Sequence, residues 1–247
     1  MDLVRSLGLP EVYSEIGMTV WTGETSYLAT EAELFRIGEI ERRDMQFMIL
    51  PGYDYKLSVG ERVGFLALDF LADYDLAFDF ASSEIRIYFP NACSDLIERE
   101  SDENVAVLPI LDTTSHYVSV PVFLDGIEFV GLLDTGAETS VLNTDLAEQY
   151  FRVDTSNPDE RMILVESFGP FDAYERRFDE LRFGDIAIAD PNFELFPNLL
   201  GNRRWETPDG ETIGPAQIII GMDILRKFDL YLAPHAARAV FAIKRIP

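Results

Sequence analysis

Val130-Gly131-Leu132-Leu133-Asp134-Thr135-Gly136-Ala137-Glu138-Thr139-Ser140-Val141-Leu142 is the stretch on which the reading of this chain turns. An apolar run ends in Asp-Thr-Gly, small and polar residues follow, and apolar residues return. That order predicts a strand, a tight loop carrying a carboxylate, and a second strand. Upstream, Val118, Val120, Val122 and Leu124 alternate onto one face of a predicted strand over His116–Leu124. Asp125-Gly126 is a two-residue hairpin turn, and Ile127–Leu133 returns into Asp134. About eighty residues downstream, Ile218-Ile219-Ile220-Gly221 reads as another apolar strand.

Working outward, the chain repeats itself. Leu34-Phe35-Arg36-Ile37-Gly38-Glu39-Ile40 matches Glu180-Leu181-Arg182-Phe183-Gly184-Asp185-Ile186 at an offset of 146, which holds without a gap to Pro51 and Pro197. Both copies read as strand, glycine turn, strand. Gly64–Leu71 matches Ile218–Leu225 at an offset of 154, with Asp69 on Asp223 and Asp75 on Asp229. The eight extra residues of the second copy fit the polar, Gly-rich stretch Asn198–Pro215. A shorter match sets Asp2-Leu3 on Asp145-Leu146, each at the start of a short helix. The expected organisation is all-β. A first lobe spans residues 1–92, an acidic linker 93–102, and a second lobe 103–247. Each lobe is built of short antiparallel strands with a short helix.

With these motifs in hand, the chain resembles the retropepsin-like aspartic proteases, in particular a bacterial two-lobed type. The resemblance implies a retropepsin/pepsin-like fold, hydrolysis of peptide bonds, a polypeptide substrate and no cofactor. It makes Asp134 one carboxylate of a catalytic pair. Two carboxylates about 3 Å apart cannot both ionise, so they share one proton. One then activates water while the other protonates the carbonyl oxygen or leaving nitrogen. Thr135 is expected to carry a buried hydroxyl whose hydrogen bond rigidifies the loop. Gly136 is expected to allow close backbone approach where a Cβ would clash. The resemblance also implies a β-hairpin flap over the substrate. Ile163–Phe171 is the candidate, with Ser167, Phe168 and Gly169 touching substrate and Gly169-Pro170 turning the chain. The competing reading of that segment is an ordinary surface hairpin. Its counterpart in the first copy falls near Trp21-Thr22-Gly23-Glu24.

The pattern breaks in one place. Sites of this kind use two Asp-Thr-Gly loops, and this sequence has one. Projected backwards, the repeat puts the counterpart of Asp134 about ten residues upstream of Met1. Three explanations follow. The protein continues upstream as a single-chain, two-lobed protease, or it forms a homodimer in which two copies of Asp134 meet, or it is a catalytically inactive module that binds peptide or protein. The first is the expectation taken here. A periplasmic or secreted location goes with it, although Met1-Asp2-Leu3-Val4-Arg5 opens no secretory signal.

Composition narrows the remaining choices. Lys plus Arg number 20 against 44 Asp plus Glu, a net charge of −24, which repels nucleic acid and anionic membrane surfaces. Apolar runs such as Ile218–Ile220 are far too short to cross a bilayer. The single cysteine, Cys93, excludes an intrachain disulfide, and with only His116 and His235 beside it no Cys/His zinc site is expected. Neither histidine neighbours a nucleophile elbow. Asp209–Gly214 lacks a phosphate-loop lysine. Asp154–Glu160 lacks the glycine and closing glutamate of a calcium loop. A two-carboxylate glycosidase has no motif to single out its pair.

Overall fold

The structure, a computed structural model, describes residues 2–19, 25–50, 64–90, 104–111, 117–165, 173–196, 205–206, 212–213 and 217–243. It is built mostly of β-sheet and divides into two compact units, Met1–Phe65 and Leu66–Pro247.

The first unit contains α1 (Asp2–Ser6), β1 (Glu11–Thr19), β2 (Thr25–Ile37) and β3 (Ile40–Met48). The strands form one antiparallel sheet in the order β1-β2-β3. Its described core is small. Ala29, Ala32, Ser14 and Thr30 are buried, while Tyr13, Ile16, Tyr27 and Leu34 are exposed. Phe35 meets Phe47 edge-on at 5.1 Å, and Tyr13 stacks on Tyr27 at 5.8 Å. Trp21–Glu24 lies outside the described residues.

The second unit opens with α2 (Leu68–Leu71), β4 (Asp75–Asp79), β5 (Glu84–Tyr88) and β6 (Val105–Pro109). Next come β7 (Ser119–Leu124), β8 (Ile127–Leu133), β9 (Val141–Asn143) and α3 (Thr144–Phe151). They are followed by β10 (Met162–Val165), β11 (Ala173–Arg177), β12 (Glu180–Phe183), β13 (Ile186–Ala189) and β14 (Asn192–Phe196). β15 (Trp205–Glu206) and β16 (Thr212–Ile213) pair with each other. The unit closes with β17 (Ile218–Ile220), α4 (Met222–Leu225), β18 (Phe228–Ala233) and β19 (Arg238–Ile243). A nine-stranded sheet runs β10-β11-β14-β9-β17-β8-β7-β12-β13, and a five-stranded sheet runs β5-β4-β18-β19-β6. Their inner faces meet through Phe183, whose ring lies 5.3 Å from Phe228 and 4.7 Å from Phe241. All three are buried. None of the helices among the described residues is long and apolar enough to cross a membrane.

The repeat is reproduced in strand register. β2 and β3 pair Ile37 with Ile40 around Gly38, and β12 and β13 pair Phe183 with Ile186 around Gly184. Both glycines are left-handed, at φ 56° and 55°. So are Asp44 (54°) and Asp190 (51°), one of the few non-glycine types that enters this region readily. Each pair is separated by the same 146 residues.

The 154-residue offset appears in the five-stranded sheet. β4 pairs Asp75 with Tyr88 of β5, and β18 pairs Asp229 with Ala242 of β19, the equivalent positions. β4 and β18 also pair with each other about a local two-fold axis. Ala77 faces Tyr231, its own equivalent, while Leu76 faces Leu232 and Phe78 faces Leu230. This pairing carries the end of the first repeat into the second unit. Residues 75–88 are hydrogen-bonded into the sheet of β18 and β19, so the compact units divide at Phe65/Leu66, whereas the sequence repeat led to the expectation of a first lobe ending at residue 92. Repeat and compact unit therefore differ in extent.

Candidate active site

The Asp134 loop is held by the strand that sequence reading placed about eighty residues downstream. β17 lies between the two strands that flank the loop. It runs parallel to β8, with Ile218 beside Gly131 and Ile220 beside Leu133, and antiparallel to β9, with Ile219 beside Val141. A strand paired on both edges and packed on both faces is expected to be apolar throughout, and Ile218 and Ile220 are fully buried. Gln217 extends the arrangement. Its backbone N–H donates to Val130 O and its side-chain oxygen accepts from Val130 N, both at 3.0 Å.

Backbone hydrogen bonds then tie the loop itself to the end of β17 and the start of α4. Asp134 N donates to Ile220 O at 3.0 Å, Met222 N to Ala137 O at 2.9 Å, and Asp223 N to Glu138 O at 3.1 Å. Ser140 is buried and adds a side-chain link. Its hydroxyl accepts from Gly221 N at 2.9 Å and donates to Asp223 Oδ1 at 2.7 Å. At Gly221 the two segments touch, because a Cβ there would lie 2.5 Å from the Thr139 carbonyl oxygen. The Asp134 carboxylate is half-buried, and its Oδ1 accepts the Gly136 N–H at 2.8 Å. Among the described residues no second carboxylate is hydrogen-bonded to it.

Two expectations for this loop need correction. Thr135 is exposed, with no hydrogen bond to its hydroxyl among the described residues. The bonds that hold the loop to β17 and α4 run through Asp134, Ala137, Glu138 and Ser140 and leave the threonine side chain in solvent. Gly136 is also exposed, and a Cβ there would approach only the Asp134 carboxylate, at 3.1 Å. Its close contact is within its own loop, and the close backbone approach belongs to Gly221. Ser167, Phe168 and Gly169 lie outside the described residues. Among the described residues, β10 and β11 pair antiparallel from Met162/Arg176 to Val165/Ala173.

Residues 120–224, which hold this entire arrangement, match the family model for aspartyl proteases. The match spans 105 of the 247 residues and includes Asp134, Ser140, Gly221 and Asp223. Among solved structures, the chain is similar to a retropepsin-like aspartic protease from Rickettsia conorii at 13% identity, covering 56% of this chain and 90% of that one, with a TM-score of 0.41. It is similar to the retroviral protease-like domain of Ddi1 from Leishmania major at 15% identity, covering 53% and 98%, with a TM-score of 0.31. Basic 7S globulin from soybean is similar at 13% identity over 93% and 72%, with a TM-score of 0.41. No curated protein matches the sequence.

Within this matched segment, sequence reading identified Asp134 and the Ile-Ile-Ile-Gly strand but not the polar residues that join them. Ser140 and Asp223 are 83 positions apart and each suits an ordinary strand start or helix turn. Asp125 was read only as a turn residue. Its Oδ1 accepts from Asp179 N at 2.8 Å and Glu180 N at 2.9 Å, which fixes the start of β12 against the β7–β8 hairpin. The paired Asp-Gly turn was a usable signal for the hairpin, and no local signal marks the second role. The arrangement delivers one half-buried carboxylate on a loop that is hydrogen-bonded to β17 and α4 and whose Thr135 and Gly136 are exposed.

Proposed function

We propose that this protein is an aspartic-type endopeptidase in which Asp134 supplies one half of a carboxylate pair that activates water against a peptide bond. The observation that carries the reading is the placement of Asp134. Its carboxylate leaves the end of β8, is held by the Gly136 N–H at 2.8 Å, and rides on a loop clamped to β17 and α4. A general base must be held in one orientation to act on a bound water, and this loop meets that need. The second carboxylate comes from another Asp-Thr-Gly loop, brought by a second copy of this chain or by sequence beyond these residues. The open side of the loop, where Thr135 lies, is where such a loop would meet it. The substrate is an extended polypeptide, bound by strand addition beside the β10–β11 hairpin.

The test is cleavage of an unfolded protein substrate by wild type and by Asp134→Asn. Asparagine keeps an oxygen for the Gly136 N–H and removes the base. Activity is expected to fall by roughly 10³-fold or more. If two copies form the site, the specific activity of wild type also falls on dilution. Cleavage that survives Asp134→Asn overturns the assignment. The exposure of Thr135 favours a second reading, a peptide-binding module without turnover. Wild type that binds extended peptides and leaves them intact would support that reading instead.

A further inference from the structure

We infer that Ser140 and Asp223 form a positioning relay that sets the Asp134 loop on α4, an inference that rests on the peptidase reading above. Between Asp134 and Ser140 the loop is fixed to residues 220–223 by three backbone hydrogen bonds and by one side-chain relay. The backbone bonds persist in any sequence that keeps the fold. The relay does not. It runs from Gly221 N–H to the Ser140 oxygen, and from the Ser140 hydroxyl to the Asp223 carboxylate, at 2.9 and 2.7 Å. Ser140 is 1% exposed, so its hydroxyl has no water to fall back on. Its backbone carbonyl accepts from Glu194 N at 2.9 Å, so the same residue also joins β14.

The repeat provides an internal control. Asp69 occupies the position of Asp223 in the earlier copy, in the first turn of α2. It is exposed, and its Oδ1 accepts from Phe70 N of its own helix at 2.9 Å. A helix of this motif therefore does not need a serine partner for its aspartate. The long-range bond occurs in the copy that carries the Asp134 loop. Ala67 likewise stands where Gly221 stands, with nearly the same backbone: φ −107°, ψ −177° against φ −91°, ψ −174°. The glycine is thus explained by the approach of the loop, whose Thr139 carbonyl leaves no room for a Cβ. Glycine, serine and aspartate together form one loop-seating device.

Four variants test it: Ser140→Ala, Ser140→Thr, Asp223→Ala and Asp223→Asn. Ser140→Ala removes both hydrogen bonds and is expected to lower kcat by roughly 10-fold or more while KM stays within about twofold. Ser140→Thr restores a hydroxyl and returns kcat to within about threefold. Asp223→Asn keeps an acceptor oxygen and behaves like wild type, whereas Asp223→Ala behaves like Ser140→Ala. The double alanine variant is no worse than either single one, as expected for a shared interaction. Amide exchange at Asp134, bonded to Ile220 O and not to Ser140, gives a readout independent of turnover. It is expected to speed up roughly 10-fold in Ser140→Ala and to recover in Ser140→Thr. Unchanged exchange at Asp134 in Ser140→Ala, or a kcat loss that Ser140→Thr fails to recover in a folded protein, overturns the relay. If wild type cleaves nothing, the peptidase reading fails by itself, and the exchange at Asp134 still decides the relay.

Discussion

The β2–β3 hairpin of the first unit and the β12–β13 hairpin of the second share a turn, a left-handed aspartate and a register, yet they differ in what they bury. Phe183 and Ile186 are buried in the second, as are Phe193 and Leu195 of β14 just after it, whereas the equivalents Ile37, Ile40 and Phe47, and Ile49 just after β3, are only half-buried in the first. The local sequence accounts for the sameness. The difference comes from neighbours. β12 pairs with β7 and faces the five-stranded sheet, while β2 and β3 have only β1 beside them among the described residues of their unit. A hairpin's shape is therefore encoded within about fifteen residues, and its stability is not.

Matched substitutions exploit that contrast. Phe183→Ala empties a site against Phe228 and Phe241 and is expected to cost about 4 kcal/mol in thermal or denaturant unfolding. Ile37→Ala, at the equivalent position, is expected to cost about 1 kcal/mol, because the side chain is half solvated already. Equal costs at the two sites would show that the first hairpin is packed as tightly as the second, and the contrast would collapse.

The second pair is Gly221 and Ala67. Gly221→Ala forces a methyl group to within 2.5 Å of the Thr139 carbonyl oxygen. It is expected to destabilise the second unit by about 3 kcal/mol and to abolish cleavage by shifting the loop. Ala67→Gly, with similar backbone angles and an exposed side chain, changes stability by less than about 1 kcal/mol. Melting temperature and activity of the two variants decide the matter. A tolerated Gly221→Ala means that the loop and α4 do not meet as closely as described.

These pairs also show what was legible in the sequence. The Asp134 loop, the Asp125-Gly126 hairpin and the Ile-Ile-Ile-Gly strand were readable because each is a local pattern of alternation and turn residues. The offsets of 146 and 154 were readable because register preserves spacing. What escaped was contact between distant segments. Thr135 and Gly136 were assigned their roles by resemblance, and their exposure depends on what lies over the loop, which no residue beside them encodes. Ser140 and Asp223 are unremarkable in their own windows. A signal for their region did exist in the comparison of copies, since a glycine stands in place of an alanine in the copy that carries the Asp134 loop.

A third contrast lies in charge. Arg176, on β11, is nearly buried and donates to Asp159 Oδ2 at 2.7 Å, with its guanidinium 5.6 Å from the Phe178 ring centre. That hydrogen bond holds the Asp159 carboxyl below its ordinary value. A depressed carboxylate contributes stability that is present above the unfolded-state value near pH 4 and is lost as pH falls through the lower, folded-state value. The stem of the β10–β11 hairpin is therefore expected to weaken in acid below about pH 4. Because Asp159 is half exposed, the effect is small, and Asp159→Asn should cost about 1 kcal/mol and flatten the acid limb of a stability–pH curve. An acid limb that Asp159→Asn leaves unaltered would assign the loss to other carboxylates.

The smallest effect is expected where the two copies agree. Asp44 and Asp190 adopt the left-handed conformation at φ 54° and 51°, a region where any Cβ carries a steric cost. Glycine removes that cost but adds conformational entropy to the unfolded chain. Asp44→Gly and Asp190→Gly should each therefore shift stability by no more than about 1 kcal/mol, and by the same amount. The Arg177–Asp190 pair does not spoil the match, since it is long at 4.0 Å and both side chains are exposed. Equality is the informative outcome. Packing differs between the hairpins and local backbone geometry does not, so a substitution that acts only on the backbone should not sense which copy it is in. Unequal shifts would mean that the surroundings reach down to single dihedral angles, and the separation of local shape from borrowed stability would no longer hold.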